Sequence, residues 1–205
     1  MGDVPAGVIF DMDDVLCRYR FPLRLARLSQ MTGVPAGVID EVIWKQGFDE
    51  EADTGHYPAE TYLRLFCERI GAPLTRGQWL EARAASMEPN AEVLDIVRRV
   101  KRRAVVALLT NNGPLLEESI DQVFPEVVEL FGEHVYFSCS LGARKPDPRV
   151  FLLVSGRLGL APEAVLFVDD NAGYVSGAAA AGLLTHPFQS VAGLRDSLRS
   201  LDLLG

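Results

Sequence analysis

Acidic side chains are concentrated at the end of one short apolar segment of this 205-residue chain. The stretch VIFDMDDVLC, residues 8–17, is apolar through Phe10. Asp11, Asp13 and Asp14 then follow within four positions. A short run of branched and aromatic residues is typical of a buried strand in a parallel sheet, and ligands bind at the carboxyl ends of such strands. The segment therefore predicts a ligand site built on carboxylates.

Three further segments show the same pattern of a short buried strand. They are residues 104–109, 135–137 and 165–168, and helical patterns lie between them. The sequence GLLTH, residues 182–186, is a candidate fifth strand. Alternation of short strands with helices predicts βαβ units, and hence an α/β fold with a parallel sheet flanked by helices.

Polar residues follow these strands as well. Thr110 and Asn111 come directly after the second strand, and Lys145 lies in the segment SLGARKPDP after the third. Asp169 and Asp170 follow the fourth. Because the carboxyl ends of parallel strands lie along one edge of the sheet, we expect these residues to meet the first acidic cluster in one cavity.

The carboxylates of Asp11, Asp13, Asp169 and Asp170 would repel one another in such a cavity, so ionising all of them requires a bound cation. Oxygen ligands without histidine or cysteine favour Mg²⁺ over zinc. The three histidines and three cysteines of the chain are scattered and show no zinc-ligand spacing. We therefore expect Mg²⁺ as the cofactor.

Phosphate is the ligand that best suits the remaining polar residues, because Mg²⁺ in proteins often combines a few carboxylates with water and a substrate phosphate. The hydroxyl of Thr110 and the backbone N–H of Asn111 can donate to phosphate oxygens, and Lys145 can neutralise charge. Attack by Asp11 on phosphorus would give an acyl phosphate. Asp13 could protonate the departing alcohol and later activate water.

A long segment without strand-like runs separates the first strand from the second. It contains several helical patterns, including a capping-box pattern of Thr75 and Gln78. Its length exceeds what one crossover helix requires. We therefore expect a helical subdomain over residues 17–88, inserted into a sheet domain formed by residues 1–16 and 89–205.

Composition narrows the class of protein. A hydrophobic content of 48% and a charged content of 23% are typical of a globular protein. The net charge of −8 disfavours nucleic acid as a partner. No apolar run approaches the ~20 residues of a membrane helix, and the N-terminus lacks an export or targeting pattern. These features predict a cytoplasmic protein without membrane contact, and they say nothing about its oligomeric state.

Four motifs together resemble those of the haloacid dehalogenase superfamily. They are FDMDDVL, LLTNNG, ARKPDP and VDDNAGYVSGAAAAG, in that order along nearly the whole chain. The resemblance implies a Rossmann-like core, with the insertion at residues 17–88 as a helical C1 cap that closes over the site and selects the substrate. The layout is similar to that of bacterial α-glucose-1-phosphate phosphatase-like sugar-phosphate phosphatases.

The resemblance also implies a role for each motif residue. Asp11 would form an aspartyl phosphate, and Asp13 would act as acid and base while its backbone carbonyl contacts Mg²⁺. Asp170 would coordinate the metal directly, and Asp169 would act through water or by holding Lys145. The residues after the second and third strands would bind the phosphoryl group.

Two residues of the expected cap are candidate substrate contacts. Arg18 lies near the hinge and could reach an anion or a sugar hydroxyl, the alternative being an ordinary surface arginine. Trp44 could contact the substrate, the alternative being packing within the cap. Asp14 adds nothing that the mechanism needs, and we expect it to be solvated or to cap a helix.

The predicted function is a Mg²⁺-dependent phosphatase for a small phosphorylated metabolite. A phosphomutase, which passes the phosphoryl group to a sugar, is an alternative. A dehalogenase is less favoured, because attack on carbon leaves no alkoxide for Asp13 to protonate. A signalling receiver domain would have its lysine last, whereas Lys145 precedes Asp169. A phosphate-binding protein without catalysis is also disfavoured, because every expected catalytic residue type is present.

Overall fold

The computed structural model describes residues 4–204. The strands in this part of the chain are β1 (Gly7–Phe10), β2 (Cys17–Tyr19), β3 (Met87–Pro89), β4 (Val105–Thr110), β5 (Val135–Phe137), β6 (Val165–Asp169) and β7 (Leu184–Pro187). Five of them form a parallel sheet in the order β5-β4-β1-β6-β7, and β2 pairs with β3 in antiparallel fashion. The predicted α/β fold with a parallel sheet is confirmed.

The central strand β1 is in register with β4 and β6, so the polar residues that follow these three strands lie at the same edge of the sheet. Phe10 lies opposite Leu108 in β4 and Val168 in β6. Both faces of β1 are covered, because Phe10 belongs to one buried apolar cluster and Ile9 to another. Asp11 donates its backbone N–H to the carbonyl of Val168 at 2.9 Å. Its carboxylate is thus fixed at the carboxyl edge of the sheet, beside the end of β6.

Helices cover both faces of the sheet. The helices between β2 and β3 are α1 (Phe21–Thr32), α2 (Ala36–Asp40), α3 (Phe48–Ala52), α4 (Ala59–Ile70) and α5 (Arg76–Ala85). Those after β3 are α6 (Ala91–Val100), α7 (Pro114–Glu117), α8 (Ile120–Val123), α9 (Pro125–Phe131), α10 (Ser138–Leu141), α11 (Pro148–Arg157), α12 (Ala172–Ala180) and α13 (Val191–Ser200). One apolar cluster joins the sheet to α1–α5, and the other packs α11 and α12 on the opposite face.

The chain enters and leaves the helices α1–α5 through β2 and β3. Cys17 lies opposite Pro89 in this antiparallel pair. Just beyond it, the side chains of Arg20 and Glu88 form an exposed ion pair. Because the two connections run side by side, the inserted helices are attached to the rest of the chain at one place.

Local predictions from the sequence are confirmed at several boundaries. Val135–Phe137 is a strand, and the strand expected at residues 104–109 extends over Val105–Thr110. Thr75 and Gln78 form the predicted capping box at the start of α5. Pairing of β2 with β3 was not predicted, because strands of three residues carry no periodicity that distinguishes them from loops.

The expected sheet domain includes residues 1–3 and 205, which lie outside the described part of the chain. The division into a sheet domain and a cap at residues 17–88 stays a prediction. Within residues 4–204, no helix combines the length and the apolar character needed to cross a membrane. The cytoplasmic location also stays a prediction.

Candidate active site

Lys145 lies at the centre of the site and is fully buried. Its Nζ atom is 2.6 Å from Oδ1 of Asp11 and 2.7 Å from Oδ2 of Asp169. The carboxamide of Asn111 fixes its backbone: Oδ1 accepts the N–H of Lys145 and Nδ2 donates to its carbonyl, both at 2.9 Å. The ends of β1, β4 and β6 and the loop before α11 therefore meet at one ammonium group.

The pKa values of Asp11 and Lys145 are both raised from their ordinary values. Burial raises the pKa of Asp11 to about 8, with Lys145 opposing the shift and Asp169 adding to it. Burial alone would lower the pKa of Lys145, but the two carboxylates outweigh it and the pKa is raised. One ammonium group thus serves two buried carboxylates, and ionisation of both would leave one negative charge without a partner cation.

A third carboxylate completes a group that could hold a metal ion. Asp11, Asp169 and Asp170 each place one oxygen within 4.8 Å of the others. Burial and the nearby Asp169 raise the pKa of Asp170. Asp169 also accepts the backbone N–H of Asn171 at 2.8 Å, at the start of α12. An all-oxygen set with excess negative charge fits Mg²⁺, which prefers carboxylate and water oxygens.

The carboxylate of Asp13 points to a different partner. Nη2 of Arg83, in α5, is 2.9 Å from Oδ1 and 2.7 Å from Oδ2 of Asp13. The guanidinium of Arg83 is buried, and its Cζ atom lies 4.3 Å from the ring centroid of Tyr19. The ion pair ties the inserted helices to the loop that follows β1.

Asn112 links this ion pair to the end of β4. Its Nδ2 atom donates to Oγ1 of the buried Thr110 at 2.7 Å and lies 3.4 Å from Oδ2 of Asp13. Its Oδ1 atom accepts from Arg83 Nη2 at 3.4 Å. Asn112 therefore stands between the hydroxyl of Thr110 and the cation of the inserted helices.

These residues enclose a cavity of about 180 Å³ at the carboxyl edge of the sheet. The residues that line it are Asp11, Asp13, Asp14, Thr110, Asn111, Lys145, Asp170, Asn171 and Tyr174. The cavity offers carboxylates, a hydroxyl and an ammonium group that is paired with Asp11. Such a set can bind a small anion together with a cation and can move a proton through Asp13.

The structure brings together the site residues that the sequence placed at the strand ends. Asp11, Asp13, Thr110, Asn111, Lys145 and Asp170 line the cavity, and the buried Asp169 lies directly behind it, bonded to Lys145. Asp13 is the exception among the proposed metal ligands, since its carboxylate faces Arg83 and is not part of the three-carboxylate group.

The two candidate substrate contacts do not line the cavity. Arg18 is exposed on β2. Trp44 packs edge-on against Phe21 at 4.9 Å, and its Nε1 atom donates to Asp49 at 2.9 Å. Their roles toward a substrate stay predictions.

Some residues of the site were missed by sequence reasoning. Arg83 had no distinguishing pattern, because it is one arginine of an amphipathic helix. Asn112 and Asn171 lie within the quoted motifs LLTNNG and VDDNAGYVSGAAAAG, but no role was assigned to them from the sequence. Asp14 lines the cavity with a left-handed backbone, φ 61°, and accepts the N–H of Tyr19 at 3.0 Å, so it caps a turn and not a helix.

A parallel sheet with a carboxylate after its central strand, and a lysine and further carboxylates beside it, is an α/β fold with a ligand site at the carboxyl ends of its strands. A family model described as haloacid dehalogenase-like hydrolase matches residues 5–182. The chain belongs to this family of hydrolases.

Two curated relatives and one solved structure illustrate the range of this similarity. An (S)-2-haloacid dehalogenase of Pseudomonas sp. (strain YL) is 31% identical over 179 residues, which cover 84% of this chain and 74% of that protein. A phosphatase of Mycobacterium tuberculosis is 28% identical over 213 residues, covering 98% and 95%. A HAD family enzyme from Bacteroides thetaiotaomicron, solved with magnesium and inorganic phosphate, superposes with a TM-score of 0.76 at 18% identity, covering 90% of this chain and 94% of that one.

Proposed function

We propose that this hydrolase is a Mg²⁺-dependent phosphatase that acts on a small phosphorylated metabolite, such as a sugar phosphate, through an aspartyl-phosphate intermediate. The observation that carries the proposal is the position of Asp13, a second carboxylate two residues beyond Asp11 that lines the same cavity. An alkoxide leaving group needs a proton, and a carboxyl group placed beside the nucleophile can supply it.

The proposed reaction proceeds in two steps. An oxygen of Asp11 attacks phosphorus, the bond from phosphorus to the ester oxygen breaks, and Asp13 gives its proton to the departing alkoxide. Water then attacks the phosphorus of the aspartyl phosphate and passes a proton to Asp13. The bond from phosphorus to Asp11 breaks, which restores the carboxylate and releases inorganic phosphate.

The phosphoryl group would be held by Thr110, Asn111 and Lys145, which line the cavity beside Asp11. Asp11, Asp169 and Asp170, with the backbone carbonyl of Asp13, would hold Mg²⁺. When bound, the ion neutralises negative charge on the phosphoryl oxygens and the carboxylates. The bacteroidal HAD enzyme, solved with magnesium and inorganic phosphate, agrees with this ligand pair.

We also propose that residues 17–88 form a cap over a core of residues 1–16 and 89–205. Its attachment through the paired β2 and β3 strands and its ion pair between Arg83 and Asp13 support this division. A cap that reaches the acid–base residue can exclude bulk water while the ester bond breaks.

A haloacid dehalogenase is the second candidate, because one relative with that activity is 31% identical. Halide departs without a proton, so a dehalogenase has no use for a carboxyl group at Asp13. A phosphomutase would use the same aspartyl phosphate and give it to a sugar hydroxyl instead of water. The same assays distinguish the three reactions.

The test is a panel of phosphate monoesters, with sugar phosphates included, assayed for phosphate release with Mg²⁺ or EDTA. We expect Mg²⁺-dependent release from at least one ester. Asp11→Asn should lose at least about 10³-fold in kcat, because an amide cannot act as the anionic nucleophile. Asp95→Asn, an exposed change on α6, is the matched control and should keep full activity.

Different products point to the other candidates. Chloride released from 2-chloropropionate, with no phosphate from any ester, would favour the dehalogenase. A phosphorylated sugar isomer formed without free phosphate would favour the phosphomutase. Normal turnover by Asp11→Asn would exclude Asp11 as the attacking group.

A further inference from the structure

A second cavity lies between the inserted helices and the loop that follows β4. Its volume is about 10 Å³, close to the minimum for one water molecule. Arg24, Asp49, Tyr62 and Trp79 line it from the inserted segment, and Asn112 lines it from the loop. The space is therefore matched to one small polar group and enclosed by both parts of the structure.

Two residues that line this cavity carry buried donor atoms without an acceptor. Arg24 and Trp79 are each only 4% exposed, and the Nε atom of Arg24 and the Nε1 atom of Trp79 have no hydrogen-bond partner. Arginine is rarely buried without a paired carboxylate. Here no carboxylate oxygen among residues 4–204 lies within 4.0 Å of Arg24.

The guanidinium of Arg24 is held in place by aromatic rings. Its Cζ atom lies 5.0 Å from the ring centroid of Trp44 and 4.8 Å from that of Trp79. Its Nη1 atom donates to the hydroxyl of Tyr19 at 3.1 Å. These contacts fix the cation while leaving Nε free for another acceptor.

The cavity also contains an acceptor. Asp49 accepts the hydroxyl of Tyr62 at Oδ1, at 2.6 Å, and Nε1 of Trp44 at Oδ2, at 2.9 Å. A carboxylate oxygen can accept more than one hydrogen bond. The cavity thus presents two unpaired donors and one carboxylate with acceptor capacity to spare.

A hydroxyl group matches this arrangement. Its oxygen accepts two hydrogen bonds and donates one, so it can pair with Arg24 Nε, Trp79 Nε1 and Asp49 together. A carboxylate or phosphate ligand would satisfy the donors but would be repelled by Asp49. An apolar group would leave both donors unpaired, which costs free energy in a buried site.

The position of the cavity connects it to the proposed chemistry. Asn112 lines it and, through the same side chain, reaches Thr110 and Asp13 of the larger cavity. Asp13 is the proposed proton donor to the leaving alcohol. The alcohol that leaves phosphorus and takes its proton from Asp13 would therefore extend past Asn112 toward Arg24 and Trp79.

We propose that this cavity is a hydroxyl subsite, which binds a second hydroxyl of the alcohol that carries the phosphate. The inference rests on the proposed phosphatase activity and deepens it: the substrates are phosphorylated polyols and not simple alkyl phosphates. Since both parts of the structure enclose the cavity, the inserted helices must separate from the loop after β4 to admit the carbon chain.

The test compares racemic glycerol 1-phosphate with n-propyl phosphate, which have the same carbon chain, at saturating Mg²⁺. Wild-type protein should show at least about a tenfold higher kcat/KM for the glycerol ester. Trp79→Phe removes the indole N–H and keeps an aromatic ring, and it should reduce this preference about tenfold. Tyr57→Phe, which removes an exposed hydroxyl elsewhere in the inserted segment, should leave the preference unchanged.

Asp49→Asn is a second variant, which tests the subsite independently if Trp79→Phe folds poorly. It should also reduce the preference for glycerol 1-phosphate over n-propyl phosphate, because an amide replaces the charged acceptor. Equal kcat/KM for the two esters in wild-type protein would overturn the subsite and assign the cavity to a structural water. An unchanged preference in both variants would overturn it as well. Failure to hydrolyse any monoester in the panel would instead overturn the phosphatase function itself.

Discussion

Asp13 is oriented by a cation from a distant part of the sequence. One nitrogen of Arg83 contacts both oxygens of its carboxylate, while Nε and Nη1 of the same guanidinium have no partner. The ring of Tyr19 lies against the cation at 4.3 Å. The side chain of Asp13 remains 26% exposed, so it can be fixed by Arg83 and still exchange protons with a ligand in the cavity.

The variant Arg83→Lys tests whether Arg83 positions Asp13 for proton transfer or only stabilises the folded protein. Lysine keeps the charge but lacks the planar group that stacks on Tyr19, and its ammonium sits on a flexible stem that does not hold Asp13 in one orientation. We expect kcat for the best sugar phosphate of the panel to fall about tenfold, because the leaving alkoxide needs the proton of a correctly placed Asp13. The burst of p-nitrophenol from p-nitrophenyl phosphate should slow less than about threefold, because that leaving group needs little proton transfer.

Arg69→Lys is the matched control, since Arg69 also stacks on an aromatic ring, that of Phe48 at 4.4 Å, but does not contact Asp13. It should leave both rates unchanged. An equal loss with both substrates in Arg83→Lys would mean that Arg83 supports the fold and does not position Asp13.

The helices between β2 and β3 contact the rest of the chain at several points besides Arg83. Arg76, at the start of α5, lies 3.0 Å from Glu118 and donates to the hydroxyl of Ser119 at 2.8 Å. Glu50 in α3 pairs with Arg144, in the loop that leads to Lys145. These contacts connect the position of the inserted helices to the loop that supplies the site lysine.

Gly55 lies at a further close contact between the inserted segment and α10. It has φ +80°, and a Cβ atom there would overlap the carbonyl oxygen of Cys139. Gly55→Ala should therefore push the inserted helices away from α10 and lower kcat/KM at least about tenfold, equivalent to about 1.4 kcal/mol. Steady-state kinetics with the best ester of the panel measures this loss.

Gly71→Ala controls for backbone strain, because Gly71 has φ +71° but nothing within 4 Å of an added Cβ. Both variants should lose about 1–2 kcal/mol of unfolding free energy from the left-handed conformation. Only Gly55→Ala should also lower kcat/KM, and Gly71→Ala should keep the kcat/KM of the wild-type protein. Equal activity in the two variants would show that close approach of Gly55 to Cys139 is not needed for function.

The charge of the protein as a whole is negative, with a net value of −8, and the site concentrates that charge further. Asp11, Asp169 and Asp170 meet around a single ammonium group, that of Lys145. Folding must bring these carboxylates together at a cost in repulsion and desolvation. A divalent cation that binds only the folded chain would offset that cost.

Mg²⁺ should therefore stabilise the folded protein in the absence of substrate. At ten times its dissociation constant it would contribute about 1.4 kcal/mol, which corresponds to a rise in Tm of about 3–6 °C for a chain of this length. Asp170→Ala should abolish most of this rise, because it removes an exposed carboxylate of the group. Thermal unfolding with and without Mg²⁺ measures the shift.

Asp95→Ala changes the net charge by the same amount on the exposed face of α6 and should retain the full Mg²⁺ shift. If Asp170→Ala responded to Mg²⁺ as strongly as the wild-type protein, the three-carboxylate group would not be the metal site.

The parallel sheet, and the closeness of its strand ends, could be predicted from the amino-acid sequence. Short buried runs separated by helices predict a parallel sheet, and parallel strands direct their carboxyl ends to one edge. This is why Asp11, Thr110, Lys145 and Asp169 could be placed together although most of the chain separates them. Asp11, Thr110 and Asp169 lie at or directly after strand ends, which local apolar patterns reveal, and Lys145 lies in the segment that follows β5.

The side chains that the inserted helices place at that edge of the sheet could be identified only from the three-dimensional structure. Helical periodicity shows which face of α5 is buried, but not what lies across from it, so neither the contact of Arg83 with Asp13 nor the free N–H of Trp79 could be predicted. The same holds for Arg24, whose burial between two indole rings depends on helices packed from separate segments. Contacts between helices depend on packing over long sequence separations, and a single sequence encodes no local pattern for them.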